Sequence, residues 1–298
     1  MAVAVPPVVT RDLTKQFGGL RAVDALDLEV RPGEVFGFLG PNGAGKTTTI
    51  RMLLDFLRPT RGTAAVLGGT AADLAVRRRI GYLPADLHVD PRYTGNEVLA
   101  LFRAVRGDRE DGYLAQLLER FALDPTRPVR DLSTGNRRKI GIVQAFVHRP
   151  DLLILDEPTS GLDPLLQHEF LLLVREVVDA GATVFLSSHV LHEVERVADR
   201  VGILGRGRLV AVADVDELRR RARQRIDLTV SGTVDPAVFA NVPGVLDLTV
   251  HDGMVRLVVE GSVDSVIKAA AHLTVDRIAT EQVDLEEVFL EYYRAGGR

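Results

Sequence analysis

The stretch that most constrains this chain is Gly40–Thr48, which reads Gly-Pro-Asn-Gly-Ala-Gly-Lys-Thr-Thr. An apolar run, Val35–Leu39, precedes it and a helical pattern, Thr48–Leu57, follows. Strand, glycine loop and helix in that order are the context that the pattern G-x-x-x-x-G-K-[ST] requires. Gly40, Gly43 and Gly45 are expected to take φ > 0 turns and to bring backbone N–H groups close to phosphate oxygens. The helix start adds unpaired donors and the positive end of its dipole. Lys46 has the reach for β- and γ-phosphates, and the Thr47 hydroxyl is a ligand type for Mg²⁺. Asn42 and Thr48 belong to the same loop and complete the candidate nucleotide contacts.

The rest of the chain alternates. Residues 8–35 read as short strand segments (Val8–Thr10, Phe17–Gly19, Ala25–Val30), and Thr63–Leu67 and Ile80–Pro84 as further strands around a helical 73–79. Residues from about 86 to 150 are mostly helical. Thr94 and Glu97 form a T-x-x-E capping box that opens a helix over Val98–Val105. Tyr113–Leu123 repeats apolar residues at i, i+3, i+4, and Ile140–Val147 is an apolar helix behind Asp131–Lys139. Leu152–Glu157 is four apolar residues ending in two carboxylates. Pro164 suits the first turn of a helix to about Ala180, and Thr183–His189 is a strand with its polar residues at the end. A helix through Val197 and a strand pair around Val201–Val212 follow. Strands alternating with helices predict a parallel sheet covered on both faces, with ligands outside the carboxyl ends of its strands. Asp156, Glu157 and His189 fall there, as does the glycine loop.

At 298 residues there is length for about two domains. A boundary near 220 follows from a charge shift. From 225 onward there are 6 basic and 12 acidic residues, against 31 and 29 before. The net charge of −4 gives no reason to expect nucleic acid as a partner. No apolar run approaches the about 18–20 residues that span a bilayer. The absence of cysteine excludes disulfides and thiolate metal sites and fits the cytosol. The Arg-rich run Arg219–Arg225 reads as a helical linker with a solvated face. Beyond it come a strand (Ile226–Val230), helix (Asp235–Asn241), strand (Val245–Val250), an Asp252-Gly253 turn, strand (Val255–Val259), helix (Ser262–Leu273) and strand (Val275–Ala279). That βαββαβ order is ferredoxin-like, and Asp-Gly is a strong hairpin signal. A last helix, Leu285–Tyr293, is introduced by Asp284.

An apolar strand ending in Asp-Glu downstream of a phosphate loop has a mechanical reading. Asp156 holds Mg²⁺, directly or through water, and Glu157 polarises the water that attacks the γ-phosphate. Alone, His189 reads as a structural histidine; at the ligand edge it reads as a γ-phosphate contact. The set Gly40–Thr48, Leu132–Asn136, Leu152–Glu157, Ser160–Asp163 and His189 resembles the ATPase subunit of an ABC transporter, over residues 8 to about 215. The resemblance implies an α/β P-loop NTPase fold over 1–220. It would have a RecA-like core, an antiparallel β portion and a helical subdomain at about 86–150, followed by a C-terminal α+β, ferredoxin-like domain over 221–298. It implies ATP and Mg²⁺ as cofactors, with Ser133 and Gly135 contacting the γ-phosphate held by a second copy and Asp163 at the dimer interface. Phe17, which by itself reads equally as core packing, matches the adenine-stacking aromatic.

Two positions depart from the family pattern. Thr134 and Asn136 stand where the signature has Gly and Gln, and Thr disfavours φ > 0, so a reshaped loop is expected. Ala85 follows the Gly-Tyr-x-Pro turn where the family has a glutamine, with Asp86 as a candidate substitute. The tail Asp284–Glu291 resembles the drug- and antibiotic-exporter branch of the daunorubicin-resistance type. It reads as support for a dimer, ahead of a regulatory small-molecule site. The expectation is a cytoplasmic ATPase, peripheral on the inner face of the cell membrane, that pairs with a second copy and drives a separate integral membrane permease. The alternative is a soluble or regulatory ABC-type ATPase with low turnover, uncoupled from transport.

Overall fold

The computed structural model describes residues 5–107, 112–221 and 223–282, and the chain divides into two compact units, through Val212 and from Ala213 onward. In the first unit the elements are β1 (Val8–Phe17), β2 (Leu20–Val30), β3 (Val35–Leu39), α1 (Lys46–Leu53), β4 (Arg61–Val66), α2 (Leu74–Arg77), β5 (Ile80–Leu83), α3 (Gly95–Arg106) and α4 (Tyr113–Arg120). They continue with α5 (Thr134–Phe146), β6 (Leu152–Asp156), α6 (Pro164–Asp179), β7 (Thr183–Ser188), α7 (Leu191–Glu195), β8 (Arg200–Gly205) and β9 (Arg208–Asp214), whose last two residues fall past the division.

Six strands form one sheet in the order β5-β6-β7-β3-β8-β9, with β5, β6, β7, β3 and β8 paired in parallel. Every residue of β3, β6 and β7 is buried, as a parallel sheet covered on both faces demands. The rings of Phe36 and Phe38 lie 5.9 and 5.2 Å from that of Phe185 at its centre. A second, antiparallel sheet has the order β2-β1-β4. The three short segments expected over 8–35 are two long strands, and Gly18-Gly19 is their hairpin turn. Register shifts between Thr10 and Gln16, with Asp12 and Ala25 both at φ 49°, break the two-residue alternation and hide the continuous strands from periodicity.

In the helical part both hydrogen bonds of the capping box form, from Thr94 N to Glu97 Oε2 at 2.7 Å and from Glu97 N to Thr94 Oγ1 at 3.2 Å. Helix α5 starts at Thr134, six residues before the expected Ile140, because Ser133 caps it by accepting from Asn136 N. From Arg138 to Phe146 every residue of α5 is buried. Arg106 of α3 ties this helix down by donating to the Gln144 carbonyl (2.9 Å) and to His148 Nδ1 (2.9 Å). An arginine only donates, so Nε2 carries the imidazole proton and donates to the Ile80 carbonyl at 3.2 Å.

Burial, and then the Arg106 charge, push the His148 pKa down from 6.5 to about 4. Between those values the unfolded chain binds a proton that the folded chain does not, so stability is lost as the pH falls through 6.5. Linkage puts the loss between pH 7 and pH 5 at about 2 kcal/mol. Thermal or urea unfolding at both pH values should therefore show a smaller acid loss in His148→Gln than in the parent chain. Equal losses would remove His148 from the acid response.

The second unit comprises α8 (Val215–Arg221), β10 (Arg223–Val230), α9 (Ala237–Ala240), β11 (Val245–His251), β12 (Met254–Glu260), α10 (Asp264–Ala270) and β13 (Val275–Gln282). Its antiparallel sheet has the order β11-β12-β10-β13. The Arg-rich run is no uniform helical linker. It ends α8 and begins β10, where Arg223 pairs with Glu260 and Arg225 with Val258, so sheet register overrides local composition. Asp252 and Gly253, at φ 47° and 75°, close the β11–β12 hairpin with the two left-handed residues that a type I′ turn needs. Phe239 and Val266 of the two short helices pack with Ile226, Leu228, Val255 and Leu257 in its core. The helix expected over Leu285–Tyr293 lies outside the described residues. Among the described residues no helix is long and apolar enough to cross a membrane.

Candidate functional site

The sheet order brings the carboxyl ends of β3, β7 and β6 side by side, with Leu39 opposite Ser188 and Asp156 opposite Ser187. From these ends leave the glycine loop, His189 and Glu157. Gly45 sits at φ 108° as the residue before α1, and a Cβ there would lie 2.4 Å from the Ala22 carbonyl oxygen. Gly40 differs from expectation. Its φ is not positive, and glycine is required because a Cβ would stand 2.6 Å from the Leu204 carbonyl oxygen. Helix α1 then begins at Lys46 itself. Thr47 and Thr48 are half-buried in its first turn, and Asn42 is exposed at the loop tip.

The Lys46 ammonium is buried. It donates to the Gly40 carbonyl at 2.5 Å and to that of Pro41 at 3.3 Å, and stands 3.1 Å from Glu157 Oε1. The other carboxylate oxygen of Glu157 accepts from His189 Nδ1 at 2.8 Å, the imidazole being 47% exposed. One carboxylate thus bridges a buried cation and a partly exposed imidazole. Glu157 holds this position in the left-handed region, φ 47°, which costs a non-glycine residue about 1–2 kcal/mol. Its N–H donates to Ser187 O (3.2 Å) and Oγ (3.1 Å), and its carbonyl accepts from Arg138. Strain of this kind persists where bonds on both sides of the residue hold it.

Beside it, Asp156 Oδ1 accepts from Ser187 Oγ at 2.6 Å, while Oδ2 is buried with no hydrogen-bond partner. An orphaned buried carboxylate oxygen is unfavourable unless something is to meet it. Among the described residues no group of three or more His, Asp or Glu is placed to hold a metal. One carboxylate, a hydroxyl and substrate phosphates are the donor set that suits Mg²⁺, so the residues present fit that ion.

The remaining expected residues lie elsewhere in the first unit. Ser133 is exposed as the cap of α5, and Gly135 is half-buried in its first turn. Thr134 opens the helix with negative φ, the region that a threonine favours. Asp163 is exposed and caps α6, accepting from Leu165 and Leu166 N–H at 3.1 and 3.0 Å. Phe17 ends β1 with its ring 49% exposed and the Lys15 ammonium 5.1 Å from its centroid, so it is not a core residue. None of Ser133, Asp163 and Phe17 hydrogen-bonds through its side chain to the glycine loop, Asp156, Glu157 or His189. Asp86 is exposed and lines an apolar groove with Pro84 and Leu87.

Residues 23–160 match the family model described as ABC transporter. The daunorubicin/doxorubicin resistance ATP-binding protein DrrA of Streptomyces peucetius is 43% identical over 219 residues, covering 71% of this chain and 66% of that one. The bacitracin transport ATP-binding protein BcrA of Enterococcus faecalis is 32% identical over 299 residues, 97% of each chain. The chain belongs to the ATP-binding family of ABC transporters. A solved ATP-binding subunit of an ABC transporter, 34% identical, superposes with a TM-score of 0.67 over 72% of this chain and 92% of its own. This ABC ATPase carries two residues at the site that its motifs did not reveal. Ser187 binds both carboxylate residues of the β6 end, and Arg138 binds the carbonyls behind them. Their only signals in the sequence were a serine at a strand end and a basic run, Arg137–Lys139, entering an apolar helix.

Proposed function

We propose that this ABC ATPase powers a separate integral membrane permease that exports a drug-like, antibiotic or lipidic compound, working in the cytoplasm against the inner face of the membrane. The observation that carries the catalytic half is the Glu157 carboxylate held between Lys46 and His189 at the end of the phosphate loop. The loop N–H groups of Gly40, Asn42, Gly43, Gly45 and Thr48, with the Lys46 ammonium, bind the ATP phosphates, and Phe17 stacks on the adenine. Thr47 and Asp156 would hold Mg²⁺, which would supply neutralisation of phosphate charge. Glu157 takes the proton of the attacking water, and His189 orients Glu157 and contacts the γ-phosphate. Ser133, Gly135 and Asp163 are exposed or half-buried on one chain, which supports a second copy completing the site across an ATP-dependent dimer. The export half rests on relatives named for daunorubicin resistance and bacitracin transport.

A groove of about 530 Å³ supports a protein partner. Phe56, Leu74 and Val105 line it and are 59%, 66% and 75% exposed, and large apolar residues grouped in this way mark interaction surfaces. We assign the permease to this groove. Tagged Glu157→Gln chain with Mg-ATP, mixed with detergent-solubilised membranes of the native host, should capture a multi-spanning protein in near-equal amount. Adding Val105→Asp, which places a charge in the groove, should release it while the ATP-bound dimer persists. Capture of soluble proteins alone by an intact dimer would refute the exporter reading and leave the ATPase standing.

A further inference from the structure

Arg138 lies in the first turns of α5, 5% exposed, and among the described residues it makes no ion pair. All of its donors instead meet backbone carbonyls. Nε donates to Pro158 O (3.1 Å), Nη2 to Asp156 O (3.0 Å) and Glu157 O, and Nη1 to Pro84 O and Ala85 O (2.5 Å each). A guanidinium has five N–H donors in a rigid plane, and here five carbonyls from two separate segments use them. One segment carries the strained Glu157. The other is the position where the family's glutamine is replaced by Ala85, which has no polar side chain.

We infer that Arg138 is a positioning residue for Glu157 and locks the Pro84–Ala85 segment to it as one unit. The side chain touches neither nucleotide loop nor imidazole; it acts through the Glu157 backbone. Its carbonyl bonds and the Ser187 bonds grip the left-handed residue from opposite sides, and the carboxylate between Lys46 and His189 depends on that grip. Pro84 and Asp86 also line the apolar groove, so a displacement there reaches Glu157 through one guanidinium. Lysine cannot reproduce this, because a single ammonium has no planar fork to reach both segments.

The inference rests on Glu157 as the proposed catalytic carboxylate, and the test separates the two. Steady-state ATP turnover and equilibrium nucleotide affinity are measured for the full-length chain, R138K, R138Q, Glu157→Gln and R138K combined with Glu157→Gln. A misplaced carboxylate costs on the order of 10²-fold in turnover, with affinity changed by less than about threefold. R138K should retain more activity than R138Q, and on the Glu157→Gln background it should cause no further loss, because both changes act on one group. Amide hydrogen exchange in R138K should rise at both 84–87 and 157–160 in the folded chain. Unchanged turnover in both arginine variants, multiplicative losses in the double variant, or affinity falling in parallel with turnover overturns the assignment. Loss of the fold in both variants makes Arg138 structural and overturns it too. If Glu157→Gln itself turns over normally, the catalytic reading of Glu157 fails instead.

Discussion

Glu157→Gln is expected to bind ATP at close to parental affinity and to lose roughly 10²–10⁴ in turnover. The amide keeps the shape of the carboxylate but has one acceptor oxygen and a donating nitrogen. In the parent, both carboxylate oxygens face donors, Lys46 Nζ at 3.1 Å and His189 Nδ1 at 2.8 Å. The amide satisfies one of them and cannot take a proton from water. The phosphate loop and Lys46 are untouched, so the nucleotide should still bind. Phosphate release under saturating Mg-ATP gives turnover, and equilibrium titration gives affinity. Parental turnover would move the catalytic role to another residue, and lost affinity would make Glu157 part of the binding site.

Lys46→Ala is expected to remove ATP binding at ordinary concentrations. Charge-assisted hydrogen bonds contribute about 1.5–3 kcal/mol each. Losing contacts to two phosphates therefore lowers affinity by roughly 10²–10⁴. The buried ammonium is also the cation beside Glu157. Its loss leaves that carboxylate with His189 alone, so turnover should fall even where nucleotide is forced on at high concentration. The fold should survive, because α1 is anchored by Ile50, Met52 and Leu53 in the core rather than by Lys46. A folded Lys46→Ala chain with normal nucleotide affinity would refute the assigned role.

Much of the site was legible because it is local. The strand, glycine loop and helix of 35–57 depend on residues adjacent in the chain, and so do the Thr94–Glu97 capping box and the Asp252-Gly253 hairpin. The apolar run ending in Asp156 and Glu157 announced a buried strand with polar chemistry at its tip. Local rules fail where distant segments decide the backbone. The start of α5 was not legible: Thr134 is unfavourable at positive φ, and in the fold Ser133 caps the helix one residue earlier, so Thr134 is helical with negative φ. Gly40 was expected to need a left-handed backbone, whereas the constraint is the Leu204 carbonyl from a distant strand. The continuous strands β1 and β2 are not legible in the sequence because bulges shift the register that periodicity reads.

By itself the sequence determined the chemistry available: a phosphate loop, two carboxylates, a histidine at a strand end and a chain able to bury a parallel sheet. Those follow from residue type and short spacing, which act over a few bonds. Only the tertiary structure decided which of these groups meet. Pairing β3 between β7 and β8, with β6 on the far side of β7, sets Lys46, Glu157 and His189 in one row, joined by an ion pair and a hydrogen bond. The left-handed Glu157, the orphaned Asp156 oxygen and the five carbonyls around Arg138 likewise arise from segments brought together by packing. Burial makes each of those polar contacts obligatory, and burial belongs to the folded chain as a whole.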